Sequence, residues 1–187
     1  MKSAPLVLSS ALVVLSFVTA DVFAQTGDVR ELGAQPPDAR ELAQGLFPDD
    51  ACERLKAAGF KCMGLRPAVR FALPAASFRN GSADLPEAVK HQLDVFAEVL
   101  KARRGSPQNI VIEGHTDAAG DAAANVALSQ RRADAVRTYL VDHGANAAEL
   151  RAVGLGSSRL LNAAAPQAPE NRRIEIRRDD PGSANGR

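Results

Sequence analysis

Aromatic side chains are scarce in this chain: seven Phe, one Tyr and no Trp among 187 residues, 4% in all. With so few large rings to spare, Phe71 and Phe78 are expected in a core rather than against a ligand. An excess of one charge is missing too, since 23 Lys and Arg face 22 Asp and Glu, for a net charge of +1. No basic face interleaved with aromatics exists, so nucleic acid has no electrostatic footprint here. There is no series of alternating ten-residue segments of the kind a transmembrane barrel needs, and no internal repeat. The apolar run over residues 6–18 is interrupted and short of the roughly 20 apolar residues that span a bilayer comfortably.

Catalytic groupings are equally thin. Of three histidines, His91 and His143 fall on separate predicted helices, and no helix carries two at ligand spacing, so no metal site is expected. His115 beside Asp117, with Ser129 downstream, has the residue types of a nucleophile, a base and an orienter. No serine sits on a sharp glycine-flanked elbow, however, and Ser129 is most simply helical. Neither constellation is assembled, so the chain reads as non-enzymatic and without a cofactor, and His115 as a packed histidine at a strand end.

Cysteine is limited to Cys52 and Cys62. No close Cys-x-x-Cys pair is present, which argues against redox catalysis. The N-terminus sets the compartment: Lys2 precedes the apolar run, and Val22-Phe-Ala24 places small or apolar residues where a signal peptidase reads, so residues 1–24 look like a secretory signal. A retained membrane anchor is the alternative. No cysteine follows within reach of Ala20 or Ala24, so a lipoprotein anchor is not expected. In an oxidising periplasm Cys52 and Cys62 should pair, stabilising the segment by roughly 3 kcal/mol on the chain-entropy account.

Composition then divides the chain. Residues 25–41 mix Gly, Gln, Pro36-Pro37 and charges and read as a linker, with order beginning near Leu42. Residues 42–66 form a short disulfide-linked extension, in which Asp49 or Asp50 can cap a helix that runs through Ala58 and ends at Gly59. Residues 67–178 form the main domain. The tail, 179–187, has no hydrophobic periodicity and is expected to lack structure.

Within the main domain, residues 69–73 and 75–78 look like strand material. Leu85, Val89, Leu93, Phe96 and Leu100 make a helical stripe whose first turn suits Pro86. Further strands are expected at 150–153 and 173–177, where Ile174 and Ile176 alternate with charged residues as on a half-exposed strand. Residues 160–169, rich in Ala, Pro, Asn and Gln, read as a loop. The fold class is α/β, an α+β two-layer sandwich with a small mixed sheet covered on one face by helices.

The most informative stretch is Ile110-Val-Ile-Glu-Gly-His-Thr-Asp117, followed by Asn125-Val-Ala-Leu-Ser-Gln-Arg-Arg-Ala133. Ile110 and Ile112 share one face of a β-branched strand, and residues 114–120 supply turn-forming side chains. Asp121 or Asn125 can cap a helix that stops at Gly144. On that helix Leu128, Arg132, Val136 and Leu140 recur every four residues, so Arg132 falls on the apolar stripe and Arg131 does not. A cation on a buried stripe needs a partner. Asp117, on the turn, can serve as an internal ion-pair partner. Alternatively the two form a zwitterion clamp, Asp117 taking a ligand ammonium and Arg132 making a bidentate bond to a carboxylate.

Gly-His-Thr-Asp, then Asn-x-x-Leu-Ser-x-x-Arg-Ala, then Asn171-Arg-Arg-Ile-Glu-Ile176 resembles the OmpA-like C-terminal peptidoglycan-binding family. The resemblance covers about residues 70–178, including the entry segment Ser77-Phe-Arg-Asn-Gly-Ser-Ala-Asp-Leu85. It implies a βαβαβ arrangement and a site in which Asp117 and Arg132 hold the free ends of meso-diaminopimelate in the peptide stem. Thr116 would add a backbone donor, Asn125 would fix the turn, and Asn80, Asn171 and Arg172 would border the ligand. Asn171 and Arg172 can equally form a hydrogen-bond knot that holds the fold. Asp121 replaces the common Ser after Gly120, and Gly156-Ser-Ser-Arg-Leu-Leu lacks the acid and proline often found there. The empty site is expected to close Asp117 onto Arg132, or to hold water or an anion between them. The implied partner is peptidoglycan, in the periplasm beside the wall or outer membrane. The competing reading is a periplasmic interaction module that docks an envelope protein through residues 42–66.

Overall fold

The computed structural model describes residues 29–61, 68–74, 78–79, 81–105 and 109–179. Residues 1–28, with the signal expected over 1–24, Cys62, Asn80 and residues 180–187 lie outside these, as does most of the strand expected at 75–78. The elements in chain order are β1 (Val29–Glu31), α1 (Ala39–Leu46), α2 (Asp49–Ala57), β2 (Arg70–Pro74), α3 (Glu87–Lys101), β3 (Ile110–His115), α4 (Ala122–Asp142), β4 (Leu150–Gly156) and β5 (Arg173–Arg178). They build a five-stranded mixed sheet in the order β1-β2-β5-β3-β4. The outer pairs β1/β2 and β3/β4 are parallel, while β5 runs antiparallel to both β2 and β3.

One face of the sheet carries Phe71, Leu73, Ile110, Ile112, Ile174 and Ile176, all buried against Leu93, Phe96, Val136 and Leu140 of α3 and α4. Phe71 meets Phe96 edge-on with ring centroids 5.9 Å apart. Both phenylalanines singled out in the sequence, Phe71 and Phe78, are buried.

Order starts earlier than composition suggests. Val29 pairs with Arg70 and Glu31 with Ala72 along β1 and β2. α1 begins at Ala39, its amide of Glu41 capped by Asp38, and sends Leu42, Leu46 and Phe47 into the core. The segment orders because its few apolar residues fall at helical spacing and find a hydrophobic surface that local composition does not reveal. α2 also differs from expectation: Pro48 precedes it without a side-chain cap. Asp49 and Asp50 instead pair with Arg178 and Arg103. Cys52 on α2 is buried.

The opposite sheet face departs from the half-exposed pattern expected of β5. Arg173, Glu175 and Arg177 are buried like the isoleucines between them, Arg177 least at 9% exposed, and they mesh with Glu113 and His115 of β3. Asp179, expected to begin an unstructured tail, donates its amide to the Asn109 carbonyl at 2.7 Å and accepts from Arg151.

Candidate functional site

The turn after β3 is built from its own side chains. Thr116 donates its amide to the Gly156 carbonyl at 2.9 Å, which ties the turn to the end of β4. Asp117 accepts from the Ala119 amide through Oδ1, a side-chain turn that holds the carboxylate still. Asn125 closes the turn from the helix side, its Nδ2 donating to the Ala119 carbonyl at 2.8 Å and more weakly to that of Asp117. Asp121 caps α4 by accepting from the Ala124 amide at 2.8 Å. That bond occupies the extra acid which distinguishes this turn from the usual family pattern.

α4 lies close against β3 and β4 because glycines leave room for it. A Cβ on Gly114 would sit 2.2 Å from the Ser129 carbonyl oxygen, and one on Gly154 would sit 2.3 Å from the Gln130 nitrogen. This approach brings Arg132 to the segment around Arg79 and Ser82. As the periodicity predicts, Arg132 is buried while Arg131 is exposed. Its Nε donates to the Ser82 carbonyl at 2.9 Å and its Nη2 weakly to that of Arg79, and its guanidinium lies 4.9 Å from the centre of the Phe78 ring. Burial, then the charges of Arg172 and Arg131, hold its pKa below the ordinary arginine value, with Asp117 pulling the other way.

Asp117 and Arg132 therefore share one neighbourhood, but direct closure of one on the other, the first of the two arrangements expected, is not what the structure has. Arg172 takes the acid: its Nη1 donates to Asp117 Oδ2 at 2.7 Å. Arg132 is left with carbonyl oxygens and an aromatic face, a buried cation with no carboxylate bonded to it among the described residues. Spacing could not anticipate this, because Arg172 lies 55 residues from Asp117 and arrives only through the pairing of β5 with β3. The carbonyls of Arg79 and Ser82 carried no sequence signal either. The buried hydroxyl of Thr116 has no hydrogen-bond partner among the described residues.

Asn171 and Arg172 differ in their surroundings. Asn171 is the knot: fully buried, it accepts from the Asn162 amide and donates to the Asn162, Ala165 and Pro166 carbonyls. The same loop reaches the ligand turn where Ala118 donates its amide to the Pro166 carbonyl. Arg172, the next residue, turns to Asp117 instead.

On the far sheet face Glu113, His115 and Glu175 could each offer an atom to a cation within 4.8 Å of the others. The charges around them oppose that use. Arg70 and Arg173 pair with Glu175, and Arg177 and Arg159 with Glu113, so guanidiniums outnumber carboxylates before a metal arrives. Burial, reinforced by Arg173, pushes the His115 pKa down to about 3, so the ring is neutral.

Comparison with known proteins follows this geometry. The OmpA family matches residues 77–174, just over half of the chain. This chain belongs to the OmpA family. It is 40% identical over 103 residues to the peptidoglycan-associated lipoprotein of Pseudomonas aeruginosa, a match covering 54% of this chain and 60% of that one. It is 36% identical over 102 residues to the peptidoglycan-binding protein ArfA of Mycobacterium bovis, covering 54% and 31%. The chain thus spans less than two thirds of either relative. Among solved structures, a MotB-like protein from Desulfovibrio vulgaris superposes with a TM-score of 0.52 at 24% identity, over 74% of this chain and 93% of that one, a likeness of fold.

Proposed function

We propose that this OmpA-family chain binds peptidoglycan non-covalently through the diaminopimelate of the peptide stem and so positions an envelope component at the wall. The observation that carries the reading is Arg132: a buried guanidinium that meets, among the described residues, carbonyl oxygens and a ring rather than a carboxylate is a preformed site for one. Asp117, pinned by its own turn, is the acceptor for the ammonium at the same end of the ligand. Thr116 offers a buried hydroxyl with no bond of its own, Asn125 holds the turn, and Asn80 and Arg172 complete the set. The role is one of binding, without catalysis. Relatives named for peptidoglycan, and others named outer membrane porin F, support a place in the periplasm beside the wall or outer membrane.

Co-sedimentation with insoluble cell-wall sacculi tests this. The wild type should pellet, while Asp117→Ala and Arg132→Ala, checked for folding by circular dichroism, should stay in the supernatant with affinity reduced about 10-fold or more. A folded wild type that does not pellet overturns the proposal. The second reading, docking of an envelope protein through residues 42–66, draws on Leu55 and Phe60, which are 46% and 63% exposed on the extension. It predicts that loss of those two side chains, and not of Asp117, releases the partner.

A further inference from the structure

We infer that Arg172 makes the site selective for a zwitterionic ligand end over a bare ammonium, by changing partners when the ligand enters. The inference rests on the reading of Asp117 and Arg132 as the ligand clamp.

Arg172 already bonds the carboxylate proposed to take the ligand's ammonium, with Nη1 2.7 Å from Asp117 Oδ2. Its backbone is fixed. It ends a 3-10 turn over Pro169–Asn171, its amide donates to the Pro169 carbonyl at 3.0 Å, and Asn171 beside it is locked into the loop. Its side chain is 35% exposed, so neighbouring atoms leave it room to change partner. The arm therefore rotates from a rigid base, close enough to Arg132 for the two charges to oppose each other.

Consider two ligands. A bare ammonium that binds Asp117 exchanges one cation for another on the same carboxylate. It also releases Arg172 beside a second guanidinium that lacks an anion, so little attraction is gained. A ligand end that carries both an ammonium and a carboxylate makes the same exchange and also brings an anion for Arg132 and for the displaced Arg172. The Arg172–Asp117 contact thus acts as a toll on amines that the zwitterion recovers. Arg172 is a specificity-determining residue: deleting it removes a competitor for Asp117, and a plain ligand contact could not improve binding on deletion.

The test is isothermal titration of the purified chain with two synthetic stem peptides. They differ only at the third residue: a diamino diacid whose far end is a free α-amino acid, or lysine, whose far end is a bare ammonium. Wild type should favour the diamino diacid peptide. In Arg172→Gln the lysine peptide should bind about two- to fivefold tighter than to wild type, the range expected for relief of a partly exposed ion pair, and the preference between peptides should shrink. If wild type binds the diamino diacid peptide but Arg172→Gln binds the lysine peptide no better, the exchange is overturned and the clamp stands. If neither peptide binds wild type, both are overturned. Thermal unfolding of Arg172→Gln provides the folding control.

Discussion

At the scale of the residue, His115 shows how burial overrides local sequence. It sits at the end of β3 with no exposed surface, neither ring nitrogen has a hydrogen-bond partner among the described residues, and the nearest carboxylates are 3.9 Å away. Its pKa is pushed down to about 3, first by burial and then by Arg173, against about 6.5 in an unfolded chain. A base whose folded pKa is lowered is most stable when neutral. Its contribution is therefore complete above pH 6.5 and is lost as pH falls toward 3, because the unfolded chain binds the proton first. From pH 7 to pH 5 the wild type should lose about 2 kcal/mol more unfolding free energy than His115→Asn. Urea titrations at the two pH values check this; equal losses in both proteins would mean that the ring is protonated in the fold.

At the scale of the element, α4 does more than cover the sheet. β4 is an edge strand, and edge strands expose backbone groups that invite another chain. Here α4 side chains seal that edge. Arg137 donates to the Leu150 carbonyl, Gln130 accepts from the Gly154 amide at 2.6 Å and reaches toward the Ala152 carbonyl, and Ser129 accepts from the Gly156 amide at 2.9 Å. Ser129, whose residue type first suggested a nucleophile, is a structural hydroxyl. Gln130→Ala should cost about 1 kcal/mol by stripping two hydrogen bonds that water partly replaces, and should raise self-association on warming. Denaturant midpoints and sedimentation velocity would show it; a variant that stays monomeric at unchanged stability would show that Gln130 does not guard the edge. The glycines that permit this closeness, Gly114 and Gly154, were a readable signal, since isolated strand glycines mark places where another backbone comes near.

At the scale of the whole molecule, the N-terminal extension is part of the domain rather than an appendage to it. β1 lengthens the sheet, α1 buries Leu42 and Leu46 completely, and Gly45 lets α1 lie on Phe71, whose ring would be 2.6 Å from a Cβ there. Arg103, paired with Asp50, stacks over Phe47 at 3.8 Å. Leu46→Ala should therefore destabilise the entire fold by about 2–5 kcal/mol in a single transition, read by thermal unfolding. A separate early transition, with the domain midpoint unmoved, would instead mark the extension as an independent unit.

What the sequence determined by itself was local and periodic. The strand ending in Gly-His-Thr-Asp, the capped helix that holds Arg132 on its buried stripe, and the stop at Gly144, whose φ is +108°, follow from spacing and backbone chemistry that neighbouring residues carry between them. The family could be read from three short motifs for the same reason. Tertiary structure decided the partners. That Arg172 rather than Arg132 holds Asp117, that the charged residues of β5 are buried in a network with Glu113, and that a segment rich in proline and charge supplies core leucines all depend on strand pairings between residues far apart in sequence. Charge and hydrogen bonding act across a few ångströms of space, and only the folded chain decides which residues share them.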